Sequence, residues 1–347
     1  MTTYLVTGGC GFIGSNFILR LLREYKDARV INLDKLTYAG NPDNLRDVAD
    51  DEGYRFVKGD VCDQRLVDEL VQEADVICHF AAESHVDRSL MESGAFITSE
   101  VLGTYTLLEA ARKNPKLKKF LHVSTDEVYG DVPDGQFSVE TDLLRPRSPY
   151  SASKAGAEMQ VIAYVETYGL PVVMARPANN VGPRQYPEKF VPLCTTNALN
   201  ELPLPLYGDG KQQRDWLFVE DNCEALDLLV REGEPGEVYN VGAKNHRYNI
   251  DVAERILDLL GRPRSLIRFV EDRAGHDRRY GVNFDKLEKL GWSPRHDFDS
   301  AIETTVRWYE ENTWWWEKVR GGEFKEYYEK QYAERLAGAR PYESVRG

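Results

Sequence analysis

Two acids stand side by side in Ser124-Thr125-Asp126-Glu127-Val128-Tyr129-Gly130, directly after the apolar run KKFLHV. Neighbouring side chains on extended backbone diverge, so Asp126 and Glu127 can address two adjacent atoms of one substrate. Burial and like-charge proximity push the pKa values of paired carboxyls apart, giving an acid and a base from similar groups. Beside a transient ketone, the base can remove the neighbouring carbon-bound proton while the acid protonates a departing hydroxyl. That reaction is elimination of water.

A ketone must first be made. The stretch PYSASKAGAEMQVIAYVETYG places Tyr150 and Lys154 four residues apart, on one face of a predicted helix. An ammonium beside a phenol favours phenolate and lowers its pKa, so the pair can take a proton from an alcohol as hydride leaves its carbon. The hydride acceptor is announced near the N-terminus. VTGGCGFIG contains both G-x-G-x-x-G (Gly9, Gly11, Gly14) and G-x-x-G-x-x-G (Gly8, Gly11, Gly14), between a predicted strand and a predicted helix. Glycines there let the backbone approach a pyrophosphate at the helix N-terminus. Asp34 ends the second strand, where an acid accepts hydrogen bonds from a ribose diol and repels a 2′-phosphate. That favours NAD over NADP, although the adjacent Lys35 pulls the other way.

These groups need a frame that brings strand ends together. The apolar runs TYLVT, RVINLD, RFVKGD, DVICHF, KFLHVS and PVVMAR alternate with amphipathic stretches such as IGSNFILRLLREY and AFITSEVLGTYTLLEAARKN. Such alternation predicts an α/β protein with a Rossmann-type, doubly wound parallel sheet. After about Asn179 the rhythm breaks into Pro- and Gly-punctuated segments and later resumes. A smaller, sequence-interleaved, substrate-binding α/β lobe is therefore expected. The expected nucleotide-binding domain takes 1–178 with about 216–243 and 298–316; the substrate domain takes 179–215, 244–297 and 317–347.

Composition excludes several classes. A formal charge of −13 over 347 residues argues against nucleic-acid binding, which rests on clustered Lys and Arg. Five scattered cysteines without C-x-x-C spacing suggest neither a disulfide framework nor zinc, and His85 and His276 lack metal-ligand spacing. No leader and no membrane-spanning run is read, so a soluble cytoplasmic protein is expected. The Trp314-Trp315-Trp316 stretch, with Trp308 nearby, reads as a packing cluster.

The motifs TGGCGFIGSNF, NLDKLTYAGN, FAAESHVDRS, VSTDEVYGD, PYSASKAG, RPANNVGPRQYPEKFVP, LPLYGDGKQQRDWLFVEDN and DRAGHDRRY together resemble the extended short-chain dehydrogenases. Within them they resemble the dTDP-glucose 4,6-dehydratases, over most of the chain. The resemblance implies that NAD oxidises C4 of a nucleotide-linked glucose while Tyr150 accepts the hydroxyl proton, assisted by Lys154 and Thr125. It implies that Glu127 takes the C5 proton, Asp126 protonates the C6 oxygen, and hydride returns to C6. A 4-keto-6-deoxy sugar nucleotide results, a precursor of deoxysugars such as rhamnose.

By the same resemblance the cofactor meets Gly8, Gly11, Phe12, Ile13, Gly14, Asp34, Lys35, Leu36, Thr37, Asp60, Val61, Phe80, Ala81, Ala82, Ser84, Ser99 and Asn180, together with Tyr150 and Lys154. The sugar nucleotide would meet Ser84, Thr125, Asn179, Lys189, Phe190, Pro205, Leu206, Tyr207, Arg214, Asn249, Asp272, Arg273 and His276. Arg214 and Arg273 could pair a diphosphate, and Tyr207 could offer a face to a pyrimidine. A homodimer through 95–113 and 151–168 is implied as well.

Cys10, Ser99, Val181 and Ala274 depart from residues usual in the family, and none of these changes removes a catalytic group. An NAD-dependent nucleotide-sugar epimerase or decarboxylase is the alternative, as is a dehydratase acting on another nucleotide glucose such as UDP-glucose. The first two have no use for both acids. The segment from Arg320 to Gly347 lies outside these motifs.

Overall fold

The structure, a computed structural model, describes residues 1–344. Its strands in chain order are β1 Thr2–Thr7, β2 Ala28–Asp34, β3 Tyr54–Lys58, β4 Val76–His79, β5 Lys119–Val123, β6 Val172–Pro177, β7 Asn179–Val181, β8 Leu204–Tyr207, β9 Gln213–Phe218, β10 Val238–Val241, β11 His246–Tyr248, β12 Ile267–Val270 and β13 Arg340–Pro341. Seven form one sheet in the order β10-β6-β5-β4-β1-β2-β3, and every pair in it is parallel. Its inner strands are Val-, Ile- and Leu-rich because helices cover both faces.

The order of connection reverses beside β1, whose Thr7 lies level with Leu33 of β2 and His79 of β4. A crevice opens there beyond the carboxyl ends of the strands, where such sheets hold their ligands. Both the glycine turn after β1 and the acids after β5 lie at this edge. One face of the sheet is covered by helices Phe12–Glu24 and Val219–Glu232, with Phe17, Ile18, Leu21, Leu226 and Leu229 fully buried. The other is covered by Gln64–Glu73, Gly103–Ala111 and Pro149–Tyr168, through Val67, Val71, Leu107, Leu108 and Val161. Each such apolar side chain contributes roughly 1.5–3 kcal/mol on burial.

The helix carrying Tyr150 has well-defined ends. Ser148 and Ser151 form a reciprocal N-terminal cap, Pro149 opens the first turn, and Gly169 closes the helix in the left-handed conformation at φ 66°.

The second lobe comprises two three-stranded sheets, β11-β9-β7 and β8-β12-β13, with helices Phe190–Leu199 and Asn249–Leu259. Helix Phe298–Glu311 was expected with the first domain. Its Phe298, Ala301, Ile302 and Val306 instead share a core with Val191, Ile250, Ala253 and Ile256, so its apolar stripe belongs to the second lobe. Trp315 and Trp316 are buried with Tyr309, Trp308 packs against them, and Trp315 Nε1 donates to Asn44 Oδ1 at 2.8 Å, whereas Trp314, expected in the same packing cluster, is exposed with Arg46 over its ring.

The segment from Arg320 onward, which no motif explained, forms helix Glu323–Ala337 and packs Phe324, Tyr327 and Tyr332 against Tyr186 and Leu193. Residues 345–347 lie outside the described part.

Candidate active site

Beyond β5 the chain turns into a short 3₁₀ segment, Asp126–Tyr129, capped by Thr125, whose Oγ1 accepts the Glu127 N–H at 3.3 Å. The turn separates the two acids. Asp126 is 3% exposed, takes a 3.3 Å hydrogen bond from Thr125 Oγ1 on Oδ1, and leaves Oδ2 unpartnered among the described residues. Burial, reinforced by the Glu127 charge, drives its carboxyl well above the ordinary range. Glu127 is also raised by burial, but Arg273, Arg214 and Lys189 oppose the shift. Tyr280 OH lies 3.2 Å from Glu127 Oε2 and fixes its direction. The neighbours are thus held unequally, with Asp126 favouring the acid and Glu127 better able to ionise.

Tyr150 is buried against Phe96 and Val86, with the Thr125 hydroxyl hydrogen-bonded to it. Its phenol was expected to titrate low beside Lys154. In the structure it is raised well above the ordinary value, by burial first and then by the Glu127 and Glu100 carboxylates. Burial outweighs the help expected from Lys154, whose Nζ is 2.9 Å from Glu100 Oε2 and donates to Val123 O at 3.2 Å.

A cavity of about 370 Å³ opens beside Tyr150 and Lys154, and Thr125, Asp126 and Glu127 stand outside its lining. Of the residues expected to meet the cofactor, Gly8, Gly11, Phe12, Ile13, Gly14, Asp34, Lys35, Thr37, Asp60, Val61, Phe80, Ala81, Ala82, Ser84, Ser99, Tyr150 and Lys154 line it, while Leu36 and Asn180 stand outside the lining. The lining also includes Glu83, Tyr186 and Glu188, which no spacing rule singled out.

The cradle requires its glycines. A Cβ on Gly14 would sit 2.4 Å from Gly8 O, and one on Gly8, whose φ is +70°, would sit 2.6 Å from Ala81 N. Asp34 accepts the Cys10 N–H at 2.9 Å and the Leu36 N–H at 2.7 Å, which fixes its carboxylate at the cavity wall. Lys35 Nζ is tied to Asp60 Oδ2 at 2.7 Å. A dinucleotide with an unphosphorylated ribose fits this donor set.

On the second-lobe side, Lys189 reaches the carbonyl of Ser84, and Asn179 Oδ1 and Asn249 Oδ1 are buried without partners among the described residues. Arg214 donates to the carbonyls of Gln213 at 2.8 Å and Asp277 at 3.0 Å, under the ring of Tyr280. Arg273 Nη1 is 2.6 Å from Asp87 Oδ1. Both guanidinium groups therefore already hold protein partners. Tyr207 donates to Asp87 Oδ2 at 2.7 Å and meets the ring of His276 edge-on, while His276 Nδ1 is 2.6 Å from Asp272 Oδ1. Leu206 is buried in the second-lobe core with its side chain among apolar neighbours, Pro205 pairs with Arg268 across β8 and β12, and Phe190 stacks on Trp216. Asp87, Tyr327 and Gln331 were missed because they join segments far apart in the chain.

Fold and site define a class: a short-chain dehydrogenase scaffold with a tyrosine–lysine pair, to which two unequal carboxyls have been added. A family model described as GDP-mannose 4,6 dehydratase matches residues 5–305, and the chain belongs to that dehydratase family. It is 51% identical to the low-salt glycan biosynthesis protein Agl12 of Haloferax volcanii, over 88% of this chain and 97% of that one. It is 46% identical to a dTDP-glucose 4,6-dehydratase of Shigella flexneri, over 94% of this chain and 98% of the relative. The crystal structure of dTDP-glucose 4,6-dehydratase from Bacillus anthracis in complex with NAD matches with a TM-score of 0.86 at 45% identity, over 92% of this chain and all of that one.

Proposed function

We propose that the protein is an NAD-dependent dTDP-glucose 4,6-dehydratase, a hydro-lyase that forms dTDP-4-keto-6-deoxyglucose. The observation that carries this reading is the unequal pair Asp126 and Glu127 on the turn after β5, beside Tyr150. Lys35, bound to Asp60, offers no free cation to a 2′-phosphate, which supports NAD over NADP.

NAD, when bound, supplies the acceptor for the C4 hydride and its return to C6. Tyr150 takes the C4 hydroxyl proton, with Thr125 hydrogen-bonded to its phenol. The resulting ketone acidifies the C5 proton, and Glu127, the more readily ionised acid, removes it. Asp126, protonated in its buried seat, gives its proton to the C6 oxygen, and water leaves. Glu127 returns its proton to C5 as C6 is reduced, and over a full cycle the proton from the C4 hydroxyl replaces the one Asp126 lost.

An epimerase or decarboxylase reading leaves both acids unused. Incubation with dTDP-glucose, followed by the alkali-developed chromophore of a 4-keto sugar, tests the proposal; no chromophore with intact substrate rejects it. UDP-, GDP- and CDP-glucose run in parallel identify the base.

We also infer a homodimer. Along the helices that pack on one side of the sheet, Ile97 is 59% exposed, Met159 48% and Tyr168 52%, with Leu102, Tyr105 and Ile162 open beside them. Such a contiguous apolar strip suits a four-helix interface between two copies. Five free cysteines, four of them buried, accord with a reducing cytoplasm, and the product would feed deoxysugar synthesis, rhamnose among the outcomes.

A further inference from the structure

Glu100 makes two contacts that together leave its carboxylate no freedom. Oε2 receives the Lys154 ammonium at 2.9 Å, and Oε1 accepts the Glu83 backbone N–H at 2.8 Å. The residue is 1% exposed. Both partners are donors without acceptor capacity, so an amide could satisfy only one of them. Glu100 also lies in a π-helical segment, Ile97–Leu102, inserted between α-helical turns, a distortion that recurs at functional sites.

The charged and titratable groups facing this cluster come from several elements. His79 of β4 and His122 of β5 are kept neutral by burial, with the Lys154 charge adding to the effect. Glu83 faces Glu100 from the loop after β4, and Asp126 and Glu127 act on Tyr150 from the turn after β5. Among the described residues, the ion pair of Lys154 is with Glu100.

We propose that Glu100 is the positioning residue of the Tyr150–Lys154 pair: its carboxylate fixes the Lys154 ammonium at the end of β5 and cancels part of the charge that ammonium offers the phenol. The role rests on Tyr150 acting as the base in the reaction proposed above. Glu100 therefore sets how much help the phenol receives, as well as the direction from which it comes.

The test compares Glu100→Gln with wild type as NAD-loaded protein. Phenolate absorbance is titrated with the Tyr150→Phe trace subtracted, which isolates one phenol among 19 tyrosines. Tyr150 should ionise roughly one pH unit or more lower in Glu100→Gln, because one negative charge beside it is gone. The acid limb of the kcat profile on dTDP-glucose should move the same way, and Glu100→Asp, which keeps the charge, should stay near wild type. Coincident titrations of wild type and Glu100→Gln overturn the assignment.

Should the single variant not fold, Glu100→Gln/Lys154→Met removes both ions and leaves neither buried alone. Its Tyr150 should titrate close to wild type, and a titration like that of Lys154→Met alone overturns the proposal. A wild type inert on dTDP-glucose, yet showing the titration difference, rejects the functional reading and leaves the positioning role standing.

Discussion

Asp87 and Arg273, 186 positions apart, meet at 2.6 Å. Around that ion pair the Tyr207 hydroxyl and the Gln331 amide also close on Asp87, at 2.7 and 3.1 Å. Burial raises the Asp87 carboxyl, but His85, Arg273 and these hydrogen bonds outweigh it and hold the group far below the usual range. Asp87→Asn leaves a buried guanidinium without its counter-charge, a type of loss that costs about 3–5 kcal/mol. The expected outcome is a rise in KM for the sugar nucleotide of roughly tenfold or more, with NAD affinity unchanged, read by steady-state kinetics and a cofactor titration. Equal effects on both ligands would contradict the local assignment.

Glu127→Gln separates elimination from oxidation. Removal of a general base typically costs 10² to 10⁴ in rate, so formation of the 4-keto-6-deoxy product should fall by about that factor. Reduction of bound cofactor on adding dTDP-glucose should persist, because Tyr150 is untouched. Stopped-flow absorbance reads the first step and product analysis the second.

Glu83 gives a pH-dependent stability. Burial, followed by repulsion from Glu100 and Glu188, raises its carboxyl to about 7. A carboxyl raised on folding contributes stability that is fully present below its unfolded pKa and is lost as pH rises through the folded value. Wild type should therefore weaken between about pH 4.5 and about pH 7. Glu83→Gln should match it at the acid end and exceed it by on the order of 1–3 kcal/mol at pH 8. Thermal melts across that range check the divergence, and parallel curves would refute it.

Gly14→Ala tests the cradle. Its methyl group would meet Gly8 O at 2.4 Å, a backbone contact that cannot rotate away. NAD affinity should drop by at least about tenfold, as for a loss of roughly 1.4 kcal/mol. A fluorescence titration decides it, and affinity equal to wild type would show that the turn does not carry the pyrophosphate.

Met159→Glu with Ile162→Glu places charge in the exposed apolar strip. A dimer held there should dissociate to monomers in analytical ultracentrifugation, whereas a variant that stays dimeric moves the interface elsewhere.

Local arrangement was legible in the sequence wherever it depended on spacing along one element. Tyr150 and Lys154 share a helical face, Asp126 and Glu127 follow one strand, and Gly8, Gly11 and Gly14 open one helix. Five of the first six strands could be read because burial on both faces writes continuous apolar runs, while β3, at the sheet edge, is largely open. What escaped required tertiary contact. Glu100 left a trace, since it falls between buried Phe96 and Thr104 at helical spacing, an acid on an otherwise sheltered stripe. The Tyr150 phenol was expected to titrate low beside Lys154, and the sign came out reversed because burial, followed by the Glu127 and Glu100 charges, raises it. The hub at Asp87 had no local signature, because Gln331 stands 244 positions away. Helix Phe298–Glu311 was misplaced because an amphipathic pattern says that a stripe is buried without saying against what.

Helix Glu323–Ala337 finishes the wall to which Tyr207 and Asp87 belong. On the ribosome the glycine turn is made within the first 14 residues, and Gln331 arrives near the end of a 347-residue chain. The cavity lining draws on residues from Gly8 to Lys189, so all of it is made before Gln331, and the contacts around Asp87 close only after it.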